Sequence, residues 1–246
     1  MPVFFITPAQ VHDRTITLSG PLLTHLHGSL RIHTGEQIRL TEARQRRLLV
    51  RVTQVDRRML QGQILAEEPA PAPRVPRIAL GQALLKGDHM DWVMQKATEL
   101  GVGTIVPIVS DHTVVRPRAA RLGTQTERWR RIALEAAQQS ERWDVPEVAQ
   151  PTELSQFLAA YAHEACRLIL LERTGSQSLR SIPLPESADD RIILLIGPEG
   201  GWRESEGTAA FTRGYRPIGL GSRILRAETA ALAALSVLQS RLGELG

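Results

Sequence analysis

Two stretches near the C-terminal end carry the residue types that a ligand-handling site needs. One is RIILLIGPEGGWRESE, opening at Arg191; the other is IGLGSRILRAETAALAAL, opening at Ile218. In each, an apolar run ends in a glycine-bearing loop and a helix-like segment follows. The pair reads as two strand–loop–helix units sharing one pocket at the carboxyl ends of neighbouring strands. The first loop fails both nucleotide-motif tests. A P-loop requires Gly-Lys followed by Ser or Thr, and no lysine stands near Gly197–Gly201; the dinucleotide spacing Gly-x-Gly-x-x-Gly is missing as well. What remains is backbone geometry. Gly200 and Gly201 permit positive φ and close approach to a ligand, and Pro198 stiffens the turn. A tight turn without a ligand would have the same composition.

The second loop favours a ligand. Leu220, Ile224 and Leu225 stand among backbone groups free of a regular ladder, where they could sandwich a purine and hydrogen-bond its edge. Glu228 and Thr229 then open a helix rich in Ala and Leu, apolar around most of its surface and therefore expected to be buried.

The rest of the chain must position these loops. With 246 residues it can bury one large core or two modest ones. No apolar run reaches the roughly 18 residues of a membrane span, and the N-terminus lacks a charged region followed by a long apolar one, which fits a cytoplasmic protein. The single cysteine, Cys166, sits within the apolar run CRLILL and reads as a buried small hydrophobe. His25, His27 and His33 have no cysteine or acidic partner at ligand spacing, so no metal site is expected. Net charge is +4, unevenly spread: residues 1–77 carry 11 arginines against 6 acids, the remainder 19 basic against 20 acidic residues. The N-terminal third is thus the candidate nucleic-acid contact. Lys86 and Lys96 are the only lysines, and guanidinium suits bidentate phosphate contacts.

Taken in order, Val3–Ile6, Thr15–Leu18, Gln37–Thr41, LLVRVTQV and MLQGQIL read as strands joined by short polar turns, with a helix over Pro21–Leu30. This describes a small β-barrel. Arg44, Arg46 and Arg47 at one turn, and Arg57 and Arg58 at another, would be solvated hairpin tips or RNA contacts. The proline-rich EEPAPAPRVPR (Glu67–Arg77) marks the domain break, an extended connector unable to support helix or central strand. The expected division is a barrel over 1–70, a linker over 71–77 and a second domain over 78–246. Beyond the break strands alternate with helices: strand Ile78–Leu85, helix His89–Leu100 with Asp88 as N-cap, and strand Thr104–Val109, which Pro107 demotes towards an edge. A loop with Arg116 and Arg118 leads to a helix over Thr126–Ser140. Helix Glu153–Ala162 and strands Cys166–Leu171, Ile192–Ile196 and Pro217–Leu220 follow. The pattern predicts a mostly parallel α/β sheet.

At these residues the chain resembles a known family. IGPEGGW with LGSRILRAETAA is similar to the C-terminal signature of the knotted SPOUT methyltransferases, and more narrowly to the 16S ribosomal RNA (uracil-N3)-methyltransferases. KGDHMDWVMQKATELGV (Lys86–Val102) matches that family's entry into the catalytic domain; EAAQQS (Glu135–Ser140) and SLRIHTGE (Ser29–Glu36) match less tightly. The chain departs from the pattern at Val3, Gln138, Glu141, Ser222 and Ala227.

The resemblance implies a trefoil-knotted SPOUT domain that binds S-adenosylmethionine, works as a homodimer and carries an N-terminal PUA-like β-barrel for RNA. It implies cofactor contacts at Leu171, Glu172, Ile196, Gly197, Pro198, Glu199, Gly200, Gly201, Leu220, Gly221, Ile224, Leu225, Arg226, Thr229 and Ala230. Contacts to 16S rRNA or the 30S subunit would come from Arg31, Arg44, Arg46, Arg47 and Lys86. Methylation of uracil N3 needs in-line positioning, loss of the N3 proton and stabilisation of charge spreading onto O2 and O4. Arg226 is the candidate for the last. Glu228 is either a base or a helix-capping group, and Glu199 has the same two readings. The alternatives are a SPOUT enzyme acting on a ribose hydroxyl or on tRNA, and a non-catalytic RNA-binding assembly factor.

Overall fold

In this computed structural model, residues 3–113, 119–171 and 177–246 are described; Arg116, Arg118 and Glu172 lie outside them. The chain divides into two compact units, Met1–Ala72 with Ala137–Val145, and Pro73–Ala136 with Pro146–Gly246.

The first unit contains β1 (Val3–Ile6), β2 (Val11–His12), β3 (Thr15–Leu18), α1 (Gly20–Leu23), β4 (Gln37–Glu42), β5 (Arg46–Val55) and β6 (Leu60–Pro69). Its strands form one sheet in the order β1-β4-β5-β6-β3-β2; β1 lies parallel to β4 and the other pairs are antiparallel. Alternate residues bury one face, and Ile16, Leu18, Ile38, Leu40, Val50 and Leu60 join Phe4 and Leu26 in a single apolar core. Register shifts interrupt the β5–β6 pair at Leu49/Val50 and Val52/Gln54, which bends the sheet there. The helix expected over Pro21–Leu30 is α-helical for one turn only. Thr24 Oγ1 donates back to the Gly20 carbonyl at 3.2 Å, and the chain widens into a π-turn over Thr24–Ser29 that keeps Leu26 buried.

Four arginines organise residues 137–145 within this unit. Arg47 Nη2 donates to the Glu141 carbonyl at 2.9 Å, and its guanidinium lies over the Trp143 ring. Arg44 donates through Nε and Nη2 to Asp144 Oδ2 at 3.1 and 2.9 Å, while Arg142 reaches Asp144 Oδ1 at 2.7 Å. Arg39 pairs with Glu141 at 3.3 Å. Burial pushes the Asp144 carboxyl up, but Arg142 and Arg44 together bring it below the usual carboxylate range.

The second unit contains β7 (Arg77–Ala83), α2 (His89–Glu99), β8 (Thr104–Val109), α3 (Ala119–Gln139, whose last residues fall in the first unit), β9 (Glu147–Val148), β10 (Thr152–Glu153), α4 (Leu154–Ala160), β11 (Cys166–Leu170), β12 (Gln177–Ser178), β13 (Arg191–Ile196), α5 (Glu204–Thr212), β14 (Arg216–Gly219) and α6 (Ala227–Leu242). The strand order is β10-β8-β7-β13-β11-β14-β12, with β9 also against β8, and every pairing is parallel. The sheet is mixed into an α/β arrangement as expected. Both faces are covered, which is why β7 and β13 are near-continuous apolar runs. Ile78, Leu80, Ile192, Leu194 and Ile196 face one core with α2 and α6; Ala79, Ile193 and Leu195 face another with α4. A Cβ at Gly81 would stand 2.5 Å from Phe157 Cζ, so this glycine admits the α4 aromatic onto the central strand.

Two expectations are corrected here. The proline-rich connector starts later than its composition suggests: Glu67–Pro69 belong to β6, paired with Leu48, Arg47 and Arg46, and Arg77 already opens β7. At that end β6 has β5 alone as a paired neighbour, so Pro69 removes no ladder bond that a central strand would need. Strand β8, in turn, is not an edge. It pairs with β7 on one side, and with β9 through Thr104 and Ile105 and β10 through Ile108 and Val109 on the other. Pro107 falls in the gap between the two short partners, where a missing N–H costs little. Asp88 does occupy the N-cap position of α2, without a side-chain capping bond.

Helix α6 is buried along Ala227, Ala230, Ala231, Ala234, Leu235 and Leu238, and its small residues let it lie close to α2. Gln239 Nε2 donates to the Leu100 carbonyl at 2.6 Å, closing the C-terminal end of α2. Arg241 holds the Leu179 and Ile182 carbonyls at 2.7 and 2.6 Å.

Candidate active site

A cavity of about 710 Å³ opens where β11, β13 and the loop before α6 end, at the carboxyl edge of the parallel sheet. Of the residues expected from sequence, Leu171, Ile196, Gly197, Pro198, Glu199, Gly201, Ile224, Leu225, Arg226 and Ala230 line it, together with Glu228. The two loops do share one pocket. Gly200, Leu220, Gly221 and Thr229 are not on its wall. The Gly200 carbonyl turns to His112, Leu220 packs against the core beneath, Gly221 supplies a φ of +115°, and Thr229 is exposed on the first turn of α6.

The glycine loop is held from several sides. His112 Nδ1 lies 3.1 Å from the Gly200 carbonyl and 3.0 Å from that of Gly201; two acceptors require this nitrogen to carry the hydrogen. Glu206 accepts from the backbone N–H groups of Arg203 (2.8 Å) and Asp111 (2.9 Å), so it ties the start of α5 to the segment after β8. Glu199 Oε1 accepts from the Lys86 backbone N–H at 3.0 Å, and Gln82 Nε2 reaches the Gly197 carbonyl at 3.4 Å. Gly201 adopts φ +71°, the left-handed conformation anticipated for this turn.

Sequence reasoning missed His89, Leu170, Trp202 and Ala227 on the wall. Trp202 had a signal, following directly on the glycine pair; a Cβ at Gly197 would lie 3.1 Å from its ring. Glu228 makes no side-chain capping bond to α6. It stands in the first turn of α6, favourable for an anion at a helix N-terminus, with Oε1 3.1 Å from His89 Nδ1. Arg226 takes the N-cap position with an extended backbone. Its carbonyl accepts from Ala230 N–H at 2.8 Å, while its exposed guanidinium pairs with no carboxylate among the described residues.

The wall suits a ligand that is part apolar and part charged. Ile224 stays 55% exposed beside the cavity, and Trp202 Nε1 is a buried donor without a hydrogen-bond partner among the described residues. Two carboxylates, Glu199 and Glu228, and the Arg226 guanidinium complete the lining.

Of the arginines expected to touch RNA, three already have partners within the first unit. Arg46 bonds Glu42 at 2.7 Å and Glu67 at 3.0 Å, Arg44 is held by Asp144, and Arg47 is sandwiched between Trp143 and a carbonyl. Within their unit these three are structural anchors, not free tips. Arg31 is exposed at φ +52° beside a hollow of about 510 Å³ with His27 and His33. Lys86 is exposed, and its ammonium pairs with no carboxylate among the described residues. Among the described residues no cluster of His, Cys, Asp and Glu could hold a metal ion, and no helix is long and apolar enough to cross a membrane.

Residues 72–239 match the model of the RNA methyltransferase domain. The chain is 32% identical over 241 residues to ribosomal RNA small subunit methyltransferase E of Synechocystis, covering 96% of this chain and 77% of that protein. It is 28% identical to the Bacillus subtilis protein of the same name, covering 95% and 93%. Among solved structures, it superposes on ribosomal RNA small subunit methyltransferase E from Neisseria gonorrhoeae bound to S-adenosyl methionine, with TM-score 0.87 and 33% identity over 98% of both chains. A putative methyltransferase from Legionella pneumophila in complex with the cofactor SAM gives TM-score 0.88 and 31% identity over 97% of both. A two-loop cavity at the sheet's carboxyl edge and these likenesses along nearly the whole chain agree: this protein belongs to the ribosomal RNA small subunit methyltransferase E family.

Proposed function

We propose that this protein methylates N3 of one uridine in 16S ribosomal RNA of the small subunit, with S-adenosylmethionine as methyl donor. The observation that carries the reading is the meeting of both glycine loops on one cavity wall, with Arg226 free beside it. Related structures of the same family hold S-adenosylmethionine, and their name places the substrate in small-subunit ribosomal RNA. The cofactor supplies an electrophilic methyl group on a sulfonium.

The chain's residues do the rest. The turn at Gly197–Gly201, fixed by His112 and Gln82, brings backbone close to the ligand, and Ile224 and Leu225 offer apolar contact to its base. Holding donor and acceptor in line can lower a barrier by roughly 7–11 kcal/mol. Arg226 stabilises the charge that develops on the uracil oxygens. The first unit acts as a PUA-like RNA-binding barrel, and the second is a trefoil-knotted SPOUT domain that works as a homodimer in the cytoplasm. Arg31 and Lys86 are the exposed cations best suited to phosphate contact.

The test is incubation with labelled S-adenosylmethionine and either unmethylated 30S subunits or naked 16S RNA, followed by mapping of the modified base. Label at uracil N3 is expected. Label on a ribose, on tRNA only, or on no RNA would refute the assignment.

A further inference from the structure

Methylation at uracil N3 requires a proton acceptor, and one pair on the cavity wall is arranged to be one. His89 opens α2 and Glu228 stands in the first turn of α6, with Nδ1 and Oε1 3.1 Å apart. Both border the cavity; the carboxylate is 12% exposed and the imidazole 46%. A carboxylate beside Nδ1 favours a hydrogen on that nitrogen, which in the neutral ring leaves the lone pair on Nε2. A carboxylate at this distance can orient the ring and stabilises the imidazolium formed when the ring takes a proton.

The other charged groups on the wall or on the His89 segment are Glu199, Arg226, Lys86 and Asp88. Glu199 is also on the wall, with Oε1 engaged by the Lys86 backbone N–H, and it is the other carboxylate whose removal the kinetics must compare with that of His89. Arg226 and the Lys86 side chain are cations without an acceptor site. Asp88, exposed on the same segment as His89, is not on the cavity wall.

The geometry points to His89 as the general base of the reaction, oriented by Glu228. This rests on the methyl-transfer reading above. In the step, the N3–H bond breaks and the proton passes to His89 Nε2. The N3 electron pair forms the bond to the methyl carbon, and the S–CH₃ pair returns to sulfur, leaving a neutral thioether. The imidazolium then releases its proton to solvent. Positioned acid–base groups contribute typically 10²–10⁴-fold.

The experiment uses the full-length enzyme with whichever RNA substrate it methylates. For H89Q, kcat should fall by about 10²–10⁴ with S-adenosylmethionine affinity by calorimetry within about threefold of the parent. The acidic limb of the pH–rate profile should disappear. H89A should regain part of its rate with added imidazole. In E228Q the limb should persist but move, and ¹⁵N NMR of the cofactor-free protein should show His89 losing its preference for the Nδ1–H tautomer. Parent-like kcat and pH profile in H89Q, or equal losses of kcat and cofactor affinity, would overturn the base assignment while leaving methyl transfer intact. Absence of transfer by the parent itself, to any RNA, would overturn the function and the base together.

Discussion

The Arg47 guanidinium lies 4.0 Å from the centre of the Trp143 ring, joining the β4–β5 hairpin to a segment almost a hundred residues later. Burial lowers the Arg47 pKa from its ordinary value, yet the group stays charged, and it is held by the ring and by the Glu141 carbonyl. Arg47→Ala should cost about 1–3 kcal/mol, the range for losing a cation–π contact and a charged hydrogen bond. Hydrogen exchange should accelerate over residues 137–145 more than over the strands. Unchanged protection there would mean that the segment is held by other contacts.

Asp144 gives that attachment a pH dependence. Its folded pKa is depressed by Arg142 and Arg44, so its contribution is complete above the ordinary carboxylate value and lost as pH falls through the lower folded one. Acid titration of unfolding should therefore show a loss of stability beginning near pH 5 that Asp144→Asn reduces. An identical acid slope in the two proteins would remove Asp144 from the account.

Gly81 tests the packing of the central sheet. Even Gly81→Ala places a methyl against Phe157, and overpacking of this kind typically costs about 1–3 kcal/mol. The double change Gly81→Ala with Phe157→Leu should recover part of the loss in a denaturant titration.

At the cavity, the two ends of the ligand should separate by mutation. Gly201→Val adds a branched side chain at φ +71° on the wall and should abolish measurable S-adenosylmethionine binding in calorimetry. Gly200→Ala meets His112 Cβ at 3.2 Å instead, off the wall, and should weaken binding only modestly. Arg226→Ala should lower kcat by about 10²–10³, the scale for removing one donor to a developing oxyanion, while cofactor affinity stays near the parent's. Matching losses would make Arg226 a cofactor ligand.

For RNA, Lys86→Gln should reduce the slope of log K against log salt by about 1, the value for one phosphate contact. Arg44→Gln and Arg46→Gln should instead lower stability, since carboxylates within the unit already hold both.

The parallel sheet was legible because burial on both faces writes strands such as Ile192–Ile196 as unbroken apolar runs. The shared pocket was legible from the two glycine loops taken together, since the first alone has the composition of a ligand-free turn. Contacts between distant segments left no such mark. Nothing around Trp143 signals that Arg47 covers it, and the tip arginines looked free because Asp144 and Glu67 are far away in sequence. Leu220 was read as a ligand contact from its place in an apolar loop, and the same apolarity packs it into the core. His89 was visible only as the first residue of a helix; its partner Glu228 enters 139 positions later.

The position of β13 has a consequence for synthesis of the chain. This strand, which ends at the glycine loop, lies between β7 and β11, yet both neighbours precede it in sequence. Until residue 196 has left the ribosome, β7 and β11 each present an unpaired edge, and parallel pairing over such separations is slow. A polypeptide arrested before Arg191 would expose one edge of β7 and both edges of β11 at once, so truncated products should aggregate, whereas loss of the last residues after Leu242 should be tolerated.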